Sequence, residues 1–283
     1  MALARTCIAA LGGLAALAFA ASAAAAPVST RLYYERTLMG EAGARCRLFT
    51  PAILQSLKAG AAQARSAGLS AGAPRAEVDA ARDRALAKAR AVSCDNPDLR
   101  IAAQRVRAAF LSWSRQGRLV LPGRGGGWVA ERPWKPGPRF TLLAHPALEH
   151  RPVSFGLARL DGPAPVLAAD VTAPDADRAY AARLVMRDAA RAPEPFLAPD
   201  GQPPAQASRV FLAQARGPAP KGLEPGVLFR FPADADDAVA LLDPRENVRL
   251  ELAFPGPHGD RVVSTLIPVG DFATGWAFLN AGP

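Results

Sequence analysis

GRLVLPGRGGGWVAERPWKPGPR, residues Gly117–Arg139, divides the chain into two kinds of sequence. Gly and Pro recur in it too often for regular helix. Upstream, apolar residues recur with a helical period; downstream, short alternating and β-branched runs take over. Proline is sparse before Leu121 and frequent after it. The stretch is therefore expected to be a connector, residues 117–139, between a helical domain, 27–116, and a β-sandwich-like domain, 140–283. Its tryptophans, Trp128 and Trp134, are expected to pack against one of the two. The GRGGG run lacks the Gly-Lys-Ser/Thr ending and the following helix of a phosphate loop.

Charge divides at the same place. Residues 26–120 carry 16 Lys and Arg against 7 Asp and Glu, whereas residues 121–283 carry 17 against 18. The net charge of +9 thus sits in the helical part. A basic domain suits an anionic partner, although arginine on solvated helix faces gives the same balance.

Four helices are expected before the connector. The first runs from Thr30, as N-cap, to Arg47. The second opens at Thr50-Pro51, a cap residue followed by proline at the first helical position, where its missing N–H costs nothing. It carries Ile53, Leu54, Leu57 and Ala61 on one face and ends at Gly68. The third, Pro74 to Val92, is rich in Ala, Glu, Arg and Lys, all strong helix formers. The fourth opens at Asn96-Pro97-Asp98 and reaches Gln116, with Ile101, Val106, Phe110 and Trp113 as its large apolar groups. Short connections between helices of similar length imply an antiparallel four-helix bundle.

That topology sets Cys46 and Cys94 at one pole of the bundle. A disulfide between them closes a 48-residue loop. The chain-entropy estimate for such a closure is about 4 kcal/mol. A catalytic thiol or metal pair lacks a supporting His cluster or CxxC spacing. On the fourth helix Arg100, Arg107 and Arg115 recur near heptad spacing, with Gln104 and Ser114 close by. They are candidate anion contacts, or the solvated back of an amphipathic helix.

Past the connector, strands are expected at Phe140–Ala144, Val153–Leu160, Pro165–Thr172, Ala179–Arg187, Arg209–Gln214, Gly226–Phe231, Val248–Phe254 and Arg261–Val269. Turn sequences separate them, and the count and spacing suit an antiparallel sandwich or open barrel. Ala233–Leu242 is expected to be a short helix with acidic residues in its first turn. The aromatics Phe272, Trp276 and Phe278 near the end are expected in the core. The fold class is α+β.

Residues 1–26 give the address. Arg5 is the lone charge, an apolar run from Cys7 to Ala20 follows, and Ala21-Ser22-Ala23 fits signal peptidase. A cleaved signal peptide removes Cys7 and leaves two cysteines for an oxidising compartment. An uncleaved anchor is the alternative. Abundant Ala and Arg beside only four lysines indicate a GC-rich bacterial genome, and hence the periplasm.

Catalytic patterns are thin. His145-Pro-Ala-Leu-Glu149-His150 resembles the inverted zinc-protease string but has one residue too many and contains Pro146. His258 lies in an expected hairpin turn with Asp260, and Ser264 lies on the next strand, yet no G-x-S-x-G elbow exists. No metal, cofactor or catalytic set is expected. The function expected is a non-catalytic periplasmic binding or scaffolding protein, whose partner is an anionic envelope component or a periplasmic protein. Nucleic acid is excluded as partner by export, and membrane contact is peripheral or through an uncleaved signal segment. The alternative is an envelope hydrolase using His145, Glu149, His150 or His258. A third reading is a β-domain that accepts a partner strand at an open edge.

Overall fold

The computed structural model describes the backbone of residues 13–283, apart from residues 114, 124–126, 133–134, 150, 161, 163, 173–174 and 281–283, and side chains from residue 27, apart from these and residue 112. The first part of the signal segment, Ser114, Trp134, His150 and the centre of the GRGGG run lie outside the described residues. Four long helices come first: α1 (Gly13–Arg45), α2 (Pro51–Ser70), α3 (Arg75–Ala91) and α4 (Pro97–Trp113).

Their termini follow the local chemistry. The Thr50 hydroxyl accepts from the Ile53 N–H at 3.4 Å and caps α2. Asn96 Oδ1 accepts from the N–H groups of Asp98 at 2.9 Å and Leu99 at 3.2 Å, capping α4. Two boundaries differ from expectation. Thr30 is not a cap; it is buried inside α1, which continues back to Gly13 through Pro27. Gly68 does not end α2, which runs to Ser70. The left-handed position falls on Gly72, at φ +91°, where Gly72 N–H donates to Leu69 O and Ala73 N–H to Gly68 O. That pair of bonds satisfies the last carbonyls of the helix, and only glycine takes the conformation without strain.

The helix α1 is the hub, and α2 and α3 both lie along it. The contacts are small. Ala42 of α1, Ala89 of α3 and Leu99 of α4 form one cluster; Tyr33, Ala64, Leu69, Ala73 and Val78 form another. Cys46, just past α1, and Cys94, between α3 and α4, are joined as a disulfide with Cα atoms 5.4 Å apart. Beside it Arg45 donates to Ala89 O at 3.1 Å and to Val92 O, so the end of α1 also caps the carbonyls of α3.

Two antiparallel sheets follow. The larger contains β1 (Arg118–Leu121), β2 (Trp128–Glu131), β3 (Arg139–Ala144), β4 (Ala147–Leu148), β5 (Arg151–Arg159), β6 (Val166–Val171), β9 (Ala215–Pro218) and β10 (Val227–Arg230). Its order is β1-β2-β3-β5-β6-β10-β9, with β4 paired to β5. The smaller, ordered β12-β11-β7-β8, contains β7 (Ala181–Arg187), β8 (Ser208–Leu212), β11 (Asn247–Phe254) and β12 (Arg261–Pro268). Both sheets face one core. Leu167, Ala169 and Val171 of β6 alternate inward, as do Ala182, Leu184 and Met186 of β7. All eight expected strands coincide with observed ones. The stretch 117–139 itself is not irregular throughout: β1 and β2 pair within it, Leu121 opposite Trp128, and extend the larger sheet.

Two short helices complete the chain, α5 (Ala235–Ala240), as expected, and α6 (Phe272–Asn280), which was not. The latter lies against β2 and β3, and a Cβ at Gly275 would stand 2.4 Å from a Leu142 methyl. Phe272 packs edge-on to Trp128 at 5.1 Å, and Trp128 donates its indole N–H to Pro268 O at 3.2 Å. The other side of α6 meets α2. Arg132 joins the parts: its guanidinium lies over Phe278 at 3.9 Å and over Trp113 of α4 at 4.9 Å.

Candidate functional site

The meeting of α1 and α2 with α5 and α6 leaves a cleft of about 600 Å³. One face of α1 contributes Tyr33, Arg36, Thr37, Gly40, Glu41 and Ala44, at helical spacing. Leu54, Leu57, Lys58, Ala61, Ala62 and Arg65 of α2 continue the wall, and Arg82 of α3 reaches its edge. Leu241, Leu242, Val269, Ala273 and Thr274 stand opposite. The volume is that of a small-molecule site. A wider groove of about 1010 Å³ adjoins it, sharing Ser66, Pro244 and Gly270 as walls.

Charge in the cleft is unbalanced. Arg36 donates to Gly60 O at 2.5 Å, and among the described residues no carboxylate stands within ion-pair distance of it. Burial lowers its pKa from the ordinary value, against a smaller opposing effect of Glu35. Arg65 and Arg82 have no ion pair among the described residues either. Burial raises the Tyr33 phenol, while these two arginines pull it down; Asp79 and Asp83 of α3 add to the rise. Glu41 is the acidic residue on the lining. Thr37 Oγ1 and Gln55 Oε1, on two lining residues, are buried without a hydrogen-bond partner.

The floor is firmer. Asp243 is fully buried next to Leu242. Burial pushes its carboxyl up, but hydrogen bonds from the Arg245 side chain and backbone, together with the charges of Arg245 and Arg65, hold it below the ordinary value. Arg75 stands 3.8 Å from it. Ser66 Oγ donates to Gly270 O at 3.4 Å, pinning α2 to the turn before α6.

The sequence-derived candidates fall elsewhere. Arg100 is exposed and pairs with Asp95 at 3.0 Å. Arg107 donates to Leu48 O at 2.7 Å and lies over Phe49 at 5.8 Å. Arg115 is exposed in the turn after α4. None of the three lines the cleft. Arg36, Arg65 and Arg82 were not singled out from the sequence, because nothing local marks them apart from other helix arginines.

His145 and His258 of the hydrolase alternative are exposed on separate loops. His145, between β3 and β4, has Nδ1 3.5 Å from Ser154 Oγ, at the limit of a hydrogen bond. Asp170 is the register partner of Ser154 on β6, so it flanks the serine on the side away from the histidine. A carboxylate there cannot orient the imidazole as a triad requires. Glu149, at φ +52°, is held by Arg151 at 2.6 Å and Arg261 at 3.7 Å. His258 occupies the β11–β12 turn, and Asp260 accepts from the Tyr180 hydroxyl instead. His150 lies outside the described residues. Among the described residues no three His, Cys, Asp or Glu side chains gather as a metal site needs, and no helix is long and apolar enough to cross a membrane.

The chain matches no protein-family model, no curated protein and no solved structure.

Proposed function

We propose that this chain is an exported, non-catalytic binding or scaffolding protein of the bacterial cell envelope, whose basic helical half contacts anionic envelope material at the cleft. The observation that carries the reading is the cleft lining: Arg36, Arg65 and Arg82 face it with no ion pair among the described residues. In this reading residues 1–26 are removed on export and the mature protein works in the periplasm. The four helices act as an antiparallel bundle clamped by Cys46–Cys94, and the two sheets act as a β-sandwich beneath it. Arg100, Arg107 and Arg115 are secondary contacts on the outer face.

Exposed and half-exposed guanidiniums attract anions over roughly a Debye length, about 10 Å at 0.1 M salt. Retention of the mature protein on membrane and cell-wall preparations is therefore expected at low salt and should fall steeply at moderate salt. Retention that is absent, or indifferent to salt, overturns the proposal.

The hydrolase alternative rests on the approach of His145 to Ser154. Hydrolysis of an envelope ester that disappears in Ser154→Ala would establish it in place of the binding reading.

A further inference from the structure

We infer that the outward face of α4 rests on an anionic phospholipid surface, with Ile101, Ala108 and Leu111 entering the headgroup layer and Arg105 on one flank, Arg100 and Arg107 on the other, meeting lipid phosphates. The inference rests on the exported binding reading above and names the partner of its outer face.

The helix α4 touches the rest of the molecule along a narrow seam. Of its described side chains only Leu99 and Ala103 are buried, with Ala102, Val106, Phe110 and Trp113 half-buried beside them. At about 3.6 residues per turn these fall on one side of the helix. The opposite side carries Ile101, Gln104, Ala108 and Leu111, at i, i+3, i+7 and i+10. Ile101 is 49% exposed and Leu111 61%, and Gln104 and Ala108 are exposed as well. The helix is therefore apolar on two sides, one facing the protein and one turned away from it. No residue of α4 lines the cleft or the groove beside it, so this face is separate from both.

Charge borders the outward stripe. Arg105 stands on one flank of it and Arg100 and Arg107 on the other, all exposed. Arg115 and Arg118 follow, exposed in turn. Residues 97–118 hold these five arginines against one acid, Asp98 in the first turn of the helix. Arg100 pairs with Asp95, whereas Arg105, Arg115 and Arg118 have no ion pair among the described residues.

This combination selects among partners. A polysaccharide or other polyanion would pair with the arginines and leave Ile101 and Leu111 in water. An apolar protein surface would cover those two and strand the guanidiniums that rim them. A bilayer surface offers both layers in the required order, phosphates at the level of the guanidiniums and acyl chains just beneath. Arginine stems lie along such a boundary with their heads at the phosphates. The stripe lies on a helix cylinder and in no groove, so a flat surface reaches all of it.

The test is co-sedimentation of the mature protein with vesicles of phosphatidylglycerol mixed with phosphatidylcholine, against vesicles of phosphatidylcholine alone. Binding should require phosphatidylglycerol and should fall steeply as salt rises. Arg105→Gln should weaken it about fivefold. Arg159→Gln, which removes the same charge from an exposed site on β5, should leave it unchanged. Ile101→Ser and Leu111→Ser together should weaken it by at least about tenfold. Each variant alters exposed side chains, and a melting temperature equal to that of the wild type checks its fold. Equal binding to both kinds of vesicle, an effect of Arg159→Gln as large as that of Arg105→Gln, or indifference to the paired serines overturns the inference. If the vesicles are not bound while salt-sensitive retention on lipid-free cell-wall preparations persists, the phospholipid partner is wrong and the binding reading stands. If that retention is absent as well, both fall.

Discussion

Arg187 and Arg36 are both withdrawn from solvent, one in the sheets and one in the helices, and the chain provides for them differently. Arg187 on β7 is 4% exposed and meets Glu246 through two bonds, at 2.6 and 2.7 Å. Glu246 also accepts from Phe196 N–H at 3.2 Å and Asp243 N–H at 2.8 Å. The Glu246 hydrogen bond, opposed by desolvation, raises the Arg187 pKa. Arg36 has one backbone carbonyl and a pKa lowered by burial. The contrast concerns the arginines of the cleft. Arg151, Arg183, Arg209 and Arg249 in the sheets each have a carboxylate partner, and so do Arg31, Arg75 and Arg100 in the helices, whereas Arg36, Arg65 and Arg82 have none within ion-pair distance among the described residues. A charge closed by its own carboxylate holds segments together. A charge left without one makes no such tie.

The largest test of this contrast is Glu246→Ala. It strands Arg187 in the interior and should cost about 3–5 kcal/mol, read from urea unfolding. Arg36→Met, which removes a charge with no acid partner, should be close to neutral by the same measurement. If the two substitutions cost the same, the contrast fails.

The disulfide sharpens the comparison from the other side. The helical core is built largely from alanines and small clusters, so its cohesion depends more on the covalent clamp. Replacing Cys46 and Cys94 together by serine should lower stability by about 2–4 kcal/mol. Far-UV dichroism should show helix signal melting first in the double variant. Coincident loss of helix and sheet at the wild-type midpoint would contradict that dependence.

A buried charge in the larger sheet is not closed. Asp170 is 2% exposed, its Oδ1 has no partner, and burial, with repulsion from Glu224, raises its pKa to about 6. The folded state therefore holds the proton more tightly than the unfolded chain. The stabilisation from that proton is complete below the ordinary value of 3.8 and is lost as pH rises through about 6. The displacement corresponds to as much as about 3 kcal/mol. Asp170→Asn should raise the urea midpoint at pH 7 and leave it nearly unchanged at pH 4. An equal effect at both pH values would assign the cost to packing instead.

The smallest effect expected is at a helix end. Thr50→Ala removes the α2 cap and should cost about 1 kcal/mol, seen as a modest drop in melting temperature.

The legible parts of the fold were those written locally. Thr50-Pro51 and Asn96-Pro97-Asp98 mark helix starts because cap and proline act within one turn. The eight strands were legible because β-branched runs stand between turn residues. The helix α6 was missed because Gly275 reads as a breaker, whereas it is there to let the helix touch Leu142. Phe272, Trp276 and Leu279 do keep helical spacing, and that was the available signal. The strands β1 and β2 are four residues each in a Gly/Pro frame, too short to outweigh it. The cleft had no local signature at all. Its walls come from residues 33–82 and 240–274, and the half-burial of Leu54, Leu57 and Ala61, expected only to share one face of the second helix, appears once α6 is in place.

Ser66 and Gly270 are 204 positions apart, and their contact joins two walls of the cleft. Contacts of such separation carry a large loop-closure cost and form late. The α1–α2 hairpin, made from neighbouring residues, can assemble as soon as those residues are free. Its wall has no opposite side until the last helix has settled on the larger sheet. A ligand spanning the cleft therefore recognises only chains that have finished folding, and its binding energy adds to the native state alone.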